Sequence, residues 1–557
     1  MRKMINNGKS VLVLLTLMIL AIFTVNGCAG TAPAVRSFIR VNQVGFSPED
    51  IKSAVIVSQN EINDLTFRLV PSGGGNSVFN GVLTPVSGTW GKFKYHYRAD
   101  FSSFRKEGKY TIKAAGANSV SFLISTNAYS GILDSLLKFY KVQRCGPTAP
   151  LLHGVCHLHD SPLVSGDSTV KGIDVTGGWH DAGDYRKFFT TISLTTYLLL
   201  LAYEHNPQVF EFDRDFSGAP DILEEARVGI DWIIRANYAP GKLITQVQDI
   251  RDQEIGWRMP EKDSLQFDRP AFYGIGKNQV GMFTAVMALA SKIWKERFSE
   301  FALAEKWLTL AENMYSYRNS VPDIDKNPSG MYQDNSFLGK LALGAIEMYH
   351  ATSAATYLTD AKTYATKADA DYWWSWGNIN GLVQYRVALA DQTYKQYLLR
   401  NLSGFETTRS TSIYGTGAPY TWGTTNTLLG IALQGILWRD LTGGNEFDTL
   451  ITWQRDYVLG KNPWGISFVY QFGSNYSKYF HSQVAHFNRG YLPGGIAAGP
   501  IPKELYDTYK IDRKNLRYNE FNTDSVYYFD DKDDYLSNEP TIVTNAAALF
   551  VFGHWRR

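Results

Sequence analysis

Two carboxylates three residues apart, Asp181 and Asp184, stand in the stretch Gly177-Gly178-Trp179-His180-Asp181-Ala182-Gly183-Asp184-Tyr185. Crowding two negative charges into one turn raises the pKa of at least one of them, and the small residues between them let a ligand come close. One carboxylate can then activate a water while the other steadies it, with Trp179 and Tyr185 as flat faces for a sugar. A surface turn with a helix cap fits the same letters, because Asp caps helices and Gly makes turns.

Composition narrows the classes. At 557 residues the chain exceeds one ordinary core, and a formal charge of +2 excludes the clustered basic excess of a nucleic-acid binder. The 33 Tyr, 31 Phe and 14 Trp are more aromatic surface than a core requires, which points towards bound sugar faces.

The N-terminus reads as an export signal over residues 1–27. Arg2, Lys3 and Lys9 precede an apolar run, Val11 to Val25, that is too short to span a bilayer. Val25-Asn26-Gly27-Cys28 resembles a lipoprotein cleavage box, with Cys28 as the lipidated first residue and 28–36 as a tether. The mature chain is thus expected as an exported monomer, tethered on the periplasmic side or at the cell surface of a bacterial membrane. Two thiols remain, Cys145 and Cys156. In an oxidising compartment a disulfide is the default, yet His153, His157 and His159 crowd Cys156 as metal ligands would.

Residues 37–127 carry short runs of β-branched and aromatic residues, such as Ser53–Val57, Leu65–Leu69, Lys92–Tyr97 and Lys109–Ile112, parted by Gly and Pro. About seven strands in that length have the proportions of an immunoglobulin-like sandwich. From residue 128 to 557 the spacing turns helical, with apolar stripes near 131–143, 191–204, 222–234, 278–295, 301–317, 336–352, 358–370, 385–400, 423–440, 447–459 and 541–555. Helices in that number predict a closed ring of hairpins, with the long loops 144–190, 243–277, 371–384, 408–422, 460–500 and 505–538 at one end. Trp257, Trp373, Trp374, Trp376, Trp422 and Trp464 fall in or beside those loops, as a long carbohydrate cleft would require.

The stretch 178–185 resembles the N-terminal catalytic motif of glycoside hydrolase family 9, inverting cellulases with an (α/α)6 barrel. A second match lies far down the chain at Tyr528-Phe529-Asp530, Tyr535 to Glu539, Thr541 and Asn545-Ala546. Ile39 to Gly45 is similar to the opening of the immunoglobulin-like domain that precedes many such barrels. The resemblance implies a multidomain protein, an N-terminal all-β sandwich followed by an all-α (α/α)6 barrel. It implies Asp184 as general base, Asp181 as its helper and Glu539 as general acid, because inversion needs one carboxylate at the water and one protonated carboxyl across the bond. Phe139 to Gly146 with Cys156-His157 resembles the branch of the family in which two Cys and two His hold a structural zinc. Cys145, Cys156, His157 and His180 would be its ligands.

Two departures stand out. His481 is kept where relatives carry His-x-Arg, but Gln483 replaces the Arg, and Tyr332 to Lys340 lacks an acidic pair frequent in relatives. Trp179, Tyr185, Trp422, Tyr535, His481 and Gln483 are the expected substrate contacts. Calcium stays open with no ligands identified, and no organic cofactor is implied. The activity implied is endo-cleavage of β-1,4-glucosidic bonds in cellulose-like or branched β-glucan. The alternatives are an exo-acting β-glucosidase or glucosaminidase on oligosaccharides, and a glycan-binding lipoprotein that has lost catalysis.

Overall fold

The computed structural model describes residues 36–160, 164–165, 172–265, 269–325 and 331–556. The export signal, Cys28 and nearly all of the tether lie outside the described residues. No helix among the described residues is long and apolar enough to cross a membrane.

Ten strands fill the region from Ser37 to Ile124 and form two packed sheets. One sheet orders Ser37–Arg40, Ser53–Ser58, Tyr95–Asp100 and Thr84–Val86, all antiparallel. The other runs Gly45–Phe46, Phe122–Ile124, Gly108–Ala114, Thr66–Pro71 and Phe79–Val82, with Ala117–Asn118 hairpinned onto its centre. Alternation sorts the side chains: Phe67 and Leu69 point into the sandwich while Thr66 and Arg68 face out. Ile39, Phe46, Ile56, Tyr97, Ile112 and Phe122 meet them in a core of its own.

The remaining chain builds a double ring of helices. Six helices are buried almost all round: Phe189–His205, Lys277–Phe298, Leu338–Thr352, Asn380–Ala388, Thr424–Thr442 and Ile542–Trp555. Their partners Ile132–Gln143, Asp221–Ala236, Phe301–Ser316, Ala355–Ala368 and Lys395–Thr411 bury one face and leave the other in part exposed, while the sixth, Asp448–Val458, is buried from Leu450 to its end. An inner helix with no polar face is stable only inside such a ring. The stripe expected over 385–400 is divided in the structure. Asp391 accepts the Thr393 amide and starts a short 3-10 turn, so that one helix ends at Ala388 and the next begins at Lys395. Lys395–Thr411 buries only Leu398, Asn401, Leu402 and Phe405, which is too sparse a stripe to be seen in the sequence.

The sandwich is stapled to the barrel. The Gln43 amide donates to the Leu459 carbonyl (2.9 Å), Asn42 donates to Asp456 (2.9 Å), and Arg455 spans Asp456 and Asp50. Trp90 donates to the Phe521 carbonyl (2.7 Å), and the Arg40 guanidinium lies 4.4 Å from the Phe521 ring centre. Directly after the 178–185 loop, Lys187–Phe188 pairs with Ile244–Val247, which pairs in turn with Ala271–Tyr273. This small sheet, absent from the helical pattern, fixes the exit of the 178–185 loop.

Candidate active site and metal centre

The loop bearing Asp181 and Asp184 is held along both edges. The Gln143 carbonyl, at the end of Ile132–Gln143, accepts the His180 amide (2.8 Å), and its side chain donates to the His180 and Ala182 carbonyls (3.0 and 2.6 Å). The Asp181 carbonyl accepts the Ile542 amide (3.0 Å), tying the loop to the start of the last inner helix. Gly178 has φ +70° and abuts Trp232, so a side chain there would be both strained and blocked. Gly183 is required by contact: a Cβ would sit 2.0 Å from the His481 carbonyl oxygen.

That close approach joins the two motifs. The Gln483 amide donates to the Gly183 carbonyl (3.0 Å), the His481 amide donates to the Asn538 carbonyl (3.1 Å), and the Gly183 amide donates to Glu539 Oε1 (3.2 Å). Glu539, far away in sequence, therefore lies one residue from Asp184 in space. Burial, with Asp184 and then Asp181 facing it, pushes Glu539 up to about 8 against the pull of the Gly183 amide. Glu539 thus holds a proton at neutral pH. Asp184 keeps about a quarter of its side chain exposed and pairs with Arg186 (Nε to Oδ2, 3.0 Å), whose amide also donates to it (3.1 Å). Asp181 is fully enclosed and pushed up to about 6, by burial first, with Asp184 adding to it and the nearby Thr191 and Tyr332 hydroxyls pulling it back. Those hydroxyls stop short of well-formed hydrogen bonds, so the Asp181 oxygens retain acceptor capacity.

Of the expected sugar contacts, Trp422, Tyr535 and His481 line this region. Trp422 is 41% exposed, its ring 5.8 Å from Tyr535, which is 5.7 Å from His481. His481 Nδ1 is satisfied by the Lys532 carbonyl (2.8 Å), which leaves Nε2 as the acceptor of a neutral ring, and burial lowers its pKa. Three expectations are corrected. Trp179 has no exposed surface: it packs on Tyr140 and donates to Glu225 (3.3 Å), as a large apolar ring with one donor does in a core. Tyr185 is buried against His157 and His180, its hydroxyl on the Arg258 carbonyl. Gln483 is also buried, and its side-chain oxygen accepts the Arg258 amide (3.0 Å), so it braces loops where a contact with substrate was expected. Trp374 and Trp464 likewise belong to the core, while Trp257 stays part-exposed and stacks edge-on to His481 (5.1 Å).

Cys145, Cys156, His157 and His180 come together with their ligand atoms all within 4.8 Å, and both thiols are free of disulfide. His180 Nε2 faces His157 Nδ1 at 3.3 Å. Two nitrogens on a tetrahedral ion would stand roughly 3.3 Å apart at the usual metal–nitrogen length, so the spacing fits a metal. The surroundings fit as well: His157 Nε2 is bonded to Asp263 (3.0 Å), and Lys187 Nζ approaches Cys145 Sγ (3.6 Å) while paired with Asp160 (2.6 Å). His153 is not part of the group, since its ring nitrogens bond the Gly154 and Val142 carbonyls.

Comparison with known proteins decides the family. A model of glycosyl hydrolase family 9 matches residues 129–552, and one of a cellulase N-terminal ig-like domain matches residues 34–119. The chain belongs to glycosyl hydrolase family 9. It is similar to an endoglucanase D of Acetivibrio thermocellus, 27% identical over 87% of this chain and 82% of that protein. A xyloglucan-specific endo-beta-1,4-glucanase of Bacteroides ovatus is 24% identical over 92% of both chains. A metagenome-derived family 9 endoglucanase of known structure superposes with a TM-score of 0.80 at 26% identity, over 93% of this chain and 99% of its own. The family 9 enzyme is thus a glycoside hydrolase, built as an N-terminal sandwich followed by an (α/α)6 barrel. Arg186, Thr191 and Tyr332, which surround the carboxylates, escaped the sequence reading. Arg186 was findable from its place next to the motif; Tyr332 had no local signal, because only the closed ring brings it to Asp181.

Proposed function

We propose that the family 9 enzyme is an endo-acting β-1,4-glucanase that cleaves with inversion, with Glu539 as general acid, Asp184 as general base and Asp181 holding the water. The observation that carries this is the contact of Glu539 with the Gly183 amide, which sets a buried carboxyl, its pKa pushed up to about 8, one residue in space from the part-exposed Asp184. Asp184 takes a proton from water as the water oxygen bonds to the anomeric carbon. Glu539 gives its proton to the departing O4 as the C1–O4 bond breaks, so the two carboxyls end with exchanged protonation and reset through solvent. Trp422 and Tyr535 offer apolar faces to glucosyl rings, and His481 Nε2 accepts a sugar hydroxyl.

Cys145, Cys156, His157 and His180 would hold a structural zinc. A zinc with four protein ligands has no open position and supplies a cross-link, here between the 145–157 turns and the base loop. The polymer is a cellulose-like or branched β-glucan. Export, with a lipid on Cys28, would hold a monomeric enzyme at a bacterial membrane facing that polymer.

Viscometry and product sizing on soluble cellulose, xyloglucan and mixed-linkage glucan test the mode of attack. Endo-cleavage predicts a steep fall in viscosity while few reducing ends have formed. Release of single glucose units at constant viscosity would contradict it.

A further inference from the structure

We propose that Arg513, which lies in neither catalytic motif, is a positioning residue for the general acid, acting through Asp534. The proposal rests on the assignment of Glu539 as that acid.

Glu539 follows a single turn of helix, Tyr535–Asn538, and a four-residue turn has too few internal bonds to hold itself. What holds it is Asp534. Its Oδ1 accepts the Leu536 amide (3.1 Å), its Oδ2 accepts the Ser537 hydroxyl (2.9 Å), and its carbonyl accepts the Asn538 amide (3.0 Å). Asp534 has no exposed side-chain surface, so its charge needs a buried counter-ion. Arg513 supplies it: Nε donates to Oδ2 at 2.8 Å, Nη2 reaches Oδ1 at 3.5 Å, and the side chain is 5% exposed.

The guanidinium is fixed in turn by its surroundings. Its carbon lies 4.8 Å from the Tyr506 ring centre and 4.9 Å from that of Phe529, and Tyr506 stacks on Tyr527 at 4.0 Å. The residues after it continue the brace. The Lys514 and Asn515 amides donate to Asp531 (2.6 and 2.7 Å), and the Asn515 side chain donates to the Asp530 carbonyl (2.7 Å). Residues 513–515 thus grip 530–534 at three points, immediately ahead of the acid. Nothing in this grip touches Asp184 or the metal-ligand cluster, so its loss should disable proton donation and spare water activation.

That difference is measurable because an acidic phenol leaves without help, whereas a glucosyl O4 does not. Arg513→Gln should lower kcat on soluble glucan by on the order of 10- to 100-fold, the effect of displacing a catalytic group by about an ångström. On an aryl β-cellobioside with a strongly acidic phenol the loss in kcat should be no more than about threefold, and any change in KM that comes from the attached Tyr535 should appear on both substrates alike. Arg513→Lys, which keeps the charge but not the fork, should recover part of the glucan rate. The ratio of the two rates does not depend on how much of the sample is active, so partial misfolding cannot mimic the effect. If Arg513→Gln yields no folded protein, the same ratio is read from Arg513→Lys. Equal losses on both substrates would overturn the proposal. Glu539→Gln serves as reference: if it shows no leaving-group dependence, the acid assignment itself has failed, whereas dependence in Glu539→Gln without dependence at Arg513 refutes this inference alone.

Discussion

At the scale of single residues, the site works by keeping one proton where solution chemistry would lose it. With Glu539 pushed up to about 8, activity on glucan should fall as pH rises through that value, because the general acid is then discharged. The same shift has a stability consequence. Between the usual carboxylate range and about pH 8 the folded protein keeps a proton that the unfolded chain releases, so Glu539 makes stability decline with rising pH across that window. Thermal melts of Glu539→Gln should lose that part of the slope, and an unchanged slope would show that the carboxyl titrates normally. Gly183→Ala makes a separate demand, since the Cβ would meet the His481 carbonyl at 2.0 Å. The loops must part there, and glucan hydrolysis should fall by at least about 100-fold with the far-ultraviolet circular dichroism retained. Asp184 with Glu539, and the four residues of the Cys-His cluster, were singled out in the sequence because motifs mark them, and the structure brings each group together. Trp179 and Tyr185 misled for a physical reason: they flank the carboxylates in sequence, but the loop turns their rings inwards, one onto Tyr140 and the other onto His157 and His180.

At the scale of elements, the Cys145–Cys156 turns, the base loop and the strand Lys187–Phe188 are joined at the cluster of Cys145, Cys156, His157 and His180, where the proposed zinc would add a cross-link. Purified protein should carry about one zinc per chain. Cys156→Ser should lose it, lower the melting temperature and depress kcat, since His180 is the neighbour of Asp181; metal analysis and calorimetry check this. A metal-free protein with full activity would reduce the cluster to packing. The helical ring was legible from its spacing, while the extent of Lys395–Thr411 beyond residue 400 and the small sheet around Ile244–Val247 were not. A helix that buries four side chains leaves little periodic trace, and strands of two to four residues leave none.

At the scale of the whole molecule, the sandwich is part of the barrel's stability. Arg455 is wholly buried between Asp456 and Asp50, its guanidinium 4.2 Å from the Trp555 ring centre. Removing the cation strands buried carboxylate, so Arg455→Ala should destabilise the protein by about 3–5 kcal/mol in chemical denaturation, while Arg455→Lys costs less. A smaller cost than about 1 kcal/mol would show that the two domains stand independently. The proposed lipid anchor belongs to this scale too: if Cys28 carries it, Cys28→Ser should release the enzyme from membranes, and continued sedimentation with them would contradict that role.

The central claim, direct displacement by a water that Asp184 deprotonates while Glu539 protonates the leaving oxygen, is tested most directly by the anomeric form of the first product. Proton NMR during the first minutes of hydrolysis of a soluble β-1,4-glucan should show the α-anomeric signal of the new reducing end rising first, followed by slow mutarotation towards the β form. A β signal that rises first would mean retention through a covalent intermediate, and the assigned roles of Asp184 and Glu539 would be wrong.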